Sequence, residues 1–262
     1  MNNKRVVIVT GAYGEIGKSI AESIAKNHLY EVVLVGRNEK RLIDAVTEIQ
    51  RNTLNKLTRY EVVDLSRKSS VEKLAADWES PLHVLVNNAG TTPRKRLETP
   101  EGIEMQFATN VLGYLWMISY MSKFMHSVDD ARIVNVASYW AGGLNFDDLE
   151  FKQRSYNNDS AYRQSKQANR MLSTFFSKKL AADGIKVNAC HPGEVNSKLS
   201  NDLGFGGHES PAIGAETPVW LAVSDETAKF TGKYFEYMQQ VPCKFSTDQQ
   251  QLERLYKLCE GY

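Results

Sequence analysis

Cysteine is scarce in this chain: Cys190, Cys243 and Cys259 are the only three in 262 residues. An odd, widely spaced set excludes a disulfide framework and has no metal-ligand spacing, so free thiols in a reducing compartment are expected. Cys190 lies in an apolar run and should behave as a small buried hydrophobe. No sign of charge dominates, with 32 Lys and Arg against 31 Asp and Glu. No global field therefore gathers nucleic acid or an anionic membrane. No apolar stretch approaches the ~18 residues of a membrane span. Met1-Asn-Asn-Lys-Arg5 leads straight into a β-branched run and lacks the flanks of a signal peptide. These absences predict a cytoplasmic protein with no membrane span and no nucleic-acid partner. Repeats, low-complexity tracts and linkers are missing as well, so residues 1–262 are expected to form one α/β domain.

What is present alternates. Short runs rich in Val and Ile predict strands over 5–9, 31–35, 59–63, 82–86, 132–137, 186–190 and 233–237. Several are apolar on both faces, as buried parallel strands are. Amphipathic stretches separate them, for example Ile16, Ile20 and Ile24, or Leu42, Val46 and Ile49. Longer helices are expected over 101–125 and 160–183. The pattern predicts a doubly wound, seven-stranded parallel sheet with helices on both faces. The least regular region, 196–218, carries Gly204, Gly206, Gly207, Pro211 and Gly214 and is expected to be a mobile substrate loop.

Two features carry chemistry. Thr10-Gly11-Ala-Tyr13-Gly14-Glu15-Ile16-Gly17 joins the first strand to the first helix. Glycines there permit a tight turn and close approach of a pyrophosphate, and the helix N-terminus offers it free N–H groups. The second strand ends Val35-Gly36-Arg37, with no acidic residue to hold a ribose 2′-hydroxyl. An arginine fork suits the 2′-phosphate of NADP, so NADP(H) is expected over NAD(H). Lys40 and Arg41 read as surface residues. The second feature is Ser160-Ala-Tyr162-Arg-Gln-Ser-Lys166, which sets a phenol and an ammonium on one helical face. A nearby cation favours the phenolate and should lower the tyrosine pKa, giving a proton donor and acceptor for carbonyl–alcohol chemistry.

In order along the chain stand the Thr10–Gly17 turn, Asp64-Leu65, Asn87-Asn88-Ala89-Gly90, Asn110, Ser138, Tyr162 with Lys166, and Pro192-Gly193-Glu194-Val195-Asn-Ser197. This ordered set resembles the short-chain dehydrogenase/reductase family over nearly the whole chain. The spacing of Ser138 and Tyr162, and His191-Pro-Gly193, look most like its retinol-dehydrogenase-like branch. The resemblance implies a Rossmann-type fold and interconversion of a carbonyl and an alcohol on an apolar substrate: an aldehyde, ketone, retinoid or steroid-like molecule. It implies that Tyr162 moves the proton, Lys166 holds the nicotinamide ribose and tunes Tyr162, Ser138 binds the substrate oxygen, and Asn110 holds a relay water. Cofactor contacts are implied for Gly11, Tyr13, Gly14, Ile16, Gly17, Arg37, Asp64, Leu65, Asn88, Gly90, Val195 and Ser197, besides Tyr162 and Lys166. Helices 101–125 and 160–183 resemble the pair that builds homodimers in the family. Tyr114, Leu115, Met117, Ile118 and Met121 would supply apolar surface, some of it to the protein's own sheet.

Two departures stand out. Glu15 and Gly14 replace the family's usual glycine spacing, and Glu15 is expected to face solvent, away from a pyrophosphate. Ser197 stands where threonine is common. Among the remaining residues, His191 reads as structural and His83 and His126 as bland, while His208 sits where substrate could reach it. Asp147, Asp148 and Glu150 read as a solvated loop rather than a metal site. Tyr139, Trp140, Phe146, Phe151 and Tyr156 form either plain core or a lipophilic substrate wall. A different class of function stays open: a non-catalytic NADP-binding sensor with the same fold.

Overall fold

The computed structural model describes residues 4–262. Seven strands run parallel: β1 (Arg5–Thr10), β2 (Tyr30–Gly36), β3 (Arg59–Val62), β4 (Val84–Asn87), β5 (Arg132–Val136), β6 (Lys186–His191) and β7 (Tyr234–Glu236). An eighth, β8 (Gln239–Val241), pairs antiparallel with β7, and the order is 3-2-1-4-5-6-7-8. The expected seven-stranded parallel sheet is thus corrected to eight strands with one antiparallel edge. Tyr237 and Met238 form a two-residue turn with φ of 48° and 59°, a conformation that reverses a hairpin tightly. Gln239 and Gln240 are polar, so no apolar alternation marks β8 in the sequence.

The parallel strands are apolar on both faces because both are covered. Val7 and Val9 of β1 join Val32, Leu34, Val84 and Val86 under helices α1 (Glu15–Ala25), α2 (Glu39–Thr53) and α7 (Pro211–Val223). Val6 and Ile8 point the other way, with Val33, Val35, Leu85 and Ile133. They meet α3 (Lys68–Asp77), α4 (Gly113–Met121), α5 (Asn158–Lys179) and α8 (Gln249–Glu260). This is the period-two alternation of a strand, read on a sheet with two dry faces. Cys190 is fully buried there, as expected.

The helix expected over 101–125 is interrupted. Gly102 takes a φ of +80°, and the Glu104 carboxylate accepts the N–H groups of Gln106 (2.9 Å) and Phe107 (2.7 Å). That satisfies donors a helix start leaves free. A π-helical segment, Phe107–Leu112, precedes α4, and a 3-10 turn follows over Ser122–Phe124. The stretch 196–218 is also more ordered than its glycines suggest. It holds α6 (Lys198–Asp202) and the start of α7, where Ser210 caps and Pro211 occupies the first turn.

Tyr114, Leu115, Met117, Ile118 and Met121 are all buried within the chain itself. None of these five side chains offers open apolar surface, contrary to that part of the expectation. α5 is covered in turn by α8, whose Leu252, Leu255 and Cys259 are fully buried and whose Tyr256 stacks on Phe175 at 4.2 Å. Burial of each such leucine stabilises the fold by about 1.5–3 kcal/mol.

Candidate active site

The sheet runs outward from β1 in both directions, so the loops after β1 and β4 part at the C-terminal edge and leave a crevice. A cleft of about 470 Å³ lies there, within the range of small-ligand sites. Gly11, Tyr13, Gly14, Ile16, Gly17, Arg37, Asp64, Leu65, Asn88, Gly90 and Ser197 line it. Sequence reasoning named each of these. Glu15 is exposed at the rim, as expected.

The cleft's floor is stitched by hydrogen bonds. Thr10 Oγ1 accepts from the N–H groups of Asn88 (2.9 Å) and Ala89 (3.1 Å), and Asn88 Nδ2 donates to the Thr10 carbonyl at 3.0 Å. Gly11 has a φ of +64°, and a Cβ there would lie 2.8 Å from Ala89 Cα. A Cβ on Gly17 would come within 2.4 Å of the Gly11 oxygen and 2.6 Å of Asn88 Nδ2. Only glycine lets the first turn of α1 come this near the strand ends. Asp64 Oδ1 is engaged by the Ser66 N–H and hydroxyl at 3.0 and 2.7 Å, which fixes the carboxylate at the cleft wall.

At the outer end stand two exposed arginines, Arg37 and Arg41. The Arg41 guanidinium centres 4.4 Å above the Tyr13 ring and donates to the Tyr13 carbonyl at 3.2 Å. Arg41 read as a surface residue in the sequence; the structure brings it into the cleft, because the first turn of α2 turns it back onto Tyr13. Lys40 points elsewhere and pairs with Asp44. The sequence also missed Ala89, Thr91, Thr92, Pro93 and Thr109, and Lys198, Leu199 and Asp202 of α6, which all line the cleft. Thr92 Oγ1 is buried without a hydrogen-bond partner among the described residues. The glycine cradle, the free helix N-terminus and the two arginines fit a phosphate-bearing dinucleotide.

Further along the same edge lies a second group that does not line that cleft: Ser138 after β5, Tyr162 and Lys166 on α5. Lys166 Nζ donates to the Val136 carbonyl at 2.9 Å and lies 5.6 Å from the centre of the Tyr162 ring. Burial pushes the Tyr162 phenol up to about 12, and a hydrogen bond with Ser138 opposes that rise. Burial likewise lowers Lys166 to about 8. The Tyr162 shift is thus upward, opposite to the lowering expected from Lys166, because desolvation dominates it.

Asn110 sits fully buried in the π-helical segment. Its Oδ1 accepts from the Thr91 N–H at 2.9 Å and its Nδ2 donates to the Thr91 carbonyl at 3.0 Å. The side chain thereby holds the cleft wall. π-Helical turns recur at functional sites. Val195 is buried outside the cleft and bridges to Glu209.

Trp140 stands edge-on to Tyr162 at 6.4 Å and to Phe205 at 5.1 Å, and Phe205 is exposed. Of the five aromatics between Ser138 and Tyr162, Trp140 and Tyr139 reach the site. Phe151 is core beside Tyr156, and Phe146 packs against the main hydrophobic cluster. Asp148 and Glu150 are buried, not solvated. Asp148 accepts from the Lys152 N–H at 2.7 Å, and Glu150 from the Glu104 N–H at 3.0 Å. His83 Nδ1 accepts from the Val6 N–H at 3.0 Å, and exposed His208 pairs with Glu194 at 3.3 Å.

A doubly wound sheet with a glycine-lined crevice and an adjoining Ser–Tyr–Lys group defines a dinucleotide-binding class of protein. A family model described as short chain dehydrogenase matches residues 5–204. Human Retinol dehydrogenase 13 is 32% identical, over 96% of this chain and 82% of its own. A Probable oxidoreductase of Streptomyces antibioticus is 33% identical, over 92% of this chain and 87% of its own. Among solved structures, an uncharacterized protein from Mycobacterium Paratuberculosis superposes with a TM-score of 0.82 at 26% identity, covering 98% of this chain and 92% of its own. A short chain dehydrogenase of Escherichia coli CFT073 complexed with NADPH has the same fold, with a TM-score of 0.71 at 20% identity over 90% and 98%. The chain belongs to the short-chain dehydrogenase family, in its retinol-dehydrogenase-like branch. It is an oxidoreductase of CH–OH and C=O groups that uses a nicotinamide cofactor. No helix among the described residues is long and apolar enough to cross a membrane.

Proposed function

We propose that this protein is an NADP-dependent reductase of apolar aldehydes and ketones. The observation that carries the reading is the pair Arg37 and Arg41 at the end of the cleft, where an NAD-selective site would place a carboxylate. Two guanidinium groups there suit a 2′-phosphate. The edge-on Trp140 and Phe205 beside Tyr162 favour an apolar substrate body. The names of similar proteins, a retinol dehydrogenase and a polyprenol dehydrogenase, agree with that substrate class.

In this reading the bound nicotinamide supplies the hydride. Ser138 donates a hydrogen bond to the substrate oxygen and fixes the carbonyl carbon in place. Tyr162 then protonates the developing alkoxide. The raised phenol keeps its proton at neutral pH, the form a general acid must have before it donates. Lys166 is set to hold ribose hydroxyls and to resupply the proton. Asn110 keeps the Thr91 wall in position.

The test is oxidation of NADPH, and of NADH in parallel, with a panel of apolar aldehydes and ketones. Tyr162→Phe should lower kcat by roughly 10²–10⁴-fold, the usual yield of a positioned acid, with NADPH binding kept. Binding of NADPH without turnover in either form would replace the reductase with a sensor.

A further inference from the structure

His191 ends β6, immediately before Pro192-Gly193, and is 4% exposed. Neither ring nitrogen has a hydrogen-bond partner among the described residues. Buried polar atoms are nearly always paired, because leaving water without a replacement partner is unfavourable. A histidine used only for packing would cost stability here that a phenylalanine would not.

Its strand end lies beside the one that leads into Ser138, where the Ala137 N–H donates to the Cys190 carbonyl at 2.7 Å. Tyr139, which follows Ser138, presents its ring edge-on at 4.6 Å, and Tyr237 does so at 6.2 Å. Lys166 and Arg170, one and two turns beyond Tyr162 on α5, lie near enough for their charges to act on the ring, as does Glu194. Tyr139 is exposed and its hydroxyl bonds Glu194 at 2.6 Å.

We infer that His191 is a substrate-binding residue, placed to hydrogen-bond a hydroxyl that the carbonyl substrate carries close to its reacting carbon. The inference rests on the reductase reading above. Burial holds the imidazole down to about 4, so at neutral pH it offers one N–H donor and one nitrogen acceptor. A hydroxyl matches both. The cations Lys166 and Arg170 disfavour an ammonium group there, and Glu194 disfavours a carboxylate. A neutral hydroxy-carbonyl compound on an apolar body is the chemistry left.

The experiment compares two apolar ketones of one carbon skeleton, with and without a hydroxyl on the carbon beside the carbonyl, at saturating NADPH. The wild type should favour the hydroxylated ketone. His191→Phe should lower kcat/KM for that ketone at least tenfold, leave the plain ketone within twofold, keep NADPH affinity and raise Tm. His191→Gln, which retains a donor and an acceptor, should recover most of the loss. If His191→Phe does not accumulate folded, His191→Leu is read the same way. Equal treatment of the two ketones by the wild type, or an equal change on both in the variant, overturns the inference and leaves the reductase reading intact. Absence of turnover by the wild type on every carbonyl in the panel removes both.

Discussion

Replacing Arg37 and Arg41 together with alanine should convert a selective cofactor site into an indifferent one. Both side chains are exposed at the rim of the cleft, so each contact with a 2′-phosphate is discounted by solvent to about 1–1.5 kcal/mol. Arg41 loses little freedom on binding, because Tyr13 already holds it by ring and carbonyl. The pair then contributes about 2–3 kcal/mol, or roughly 30–150-fold in Kd at about 1.4 kcal/mol per tenfold. The Kd for NADPH, read from its fluorescence, should rise by that factor while the Kd for NADH stays within about threefold. Added salt should weaken NADPH binding in the wild type more than in the double variant, since the Debye length falls from about 10 Å at 0.1 M to 3 Å at 1 M. A matched rise for both nucleotides, or no rise for either, would refute the assignment.

Two further outcomes follow from the same geometry. Gly17→Ala pushes a methyl group against the Gly11 oxygen and Asn88 Nδ2, so NADPH affinity should fall at least tenfold while the far-UV spectrum is kept; unchanged affinity would show that the turn yields freely. Lys166→Met should abolish activity yet raise stability at pH 7 by about 1–3 kcal/mol, scaled from 1.36 kcal/mol per pKa unit, because Tyr114 still donates to the Val136 carbonyl at 3.2 Å. The folded-state value of Lys166, about 8, is below its usual 10.5, so between those pH values the unfolded chain binds the extra proton. Wild-type stability should therefore climb toward the variant's as pH rises through that window, and chemical denaturation with pH-independent differences would contradict it.

The seven parallel strands were legible because valine and isoleucine runs leave few other readings in an alternating chain. The cleft residues were legible where they follow a strand's C-terminal end, as Gly11, Arg37, Asp64 and Asn88 do. What escaped has physical causes. β8 is three residues long and polar, and its place follows from pairing with β7 rather than from any pattern of its own. The π-helical segment at Asn110 depends on how the Glu104 and Thr91 contacts fall, which spacing does not encode. Ser210-Pro211 is a helix start in plain view, hidden by the glycines before it. Arg41 needed the helix to be drawn before it met Tyr13. The direction of the Tyr162 and Lys166 shifts depends on burial, and a four-residue spacing says nothing of that. That the buried His191 nitrogens have no hydrogen-bond partner among the described residues has no sequence signal.

The docking of α8 on α5 has a consequence for synthesis. The helix that carries Tyr162 and Lys166 shares its core cluster, through Ala168, Met171, Leu172 and Phe176, with Leu252, Leu255 and Cys259. While residues 249–260 are still inside the ribosome, that face has no cover and presents a sticky apolar strip to its surroundings. The active-site helix is therefore fully covered only once residues 249–260 have emerged and docked.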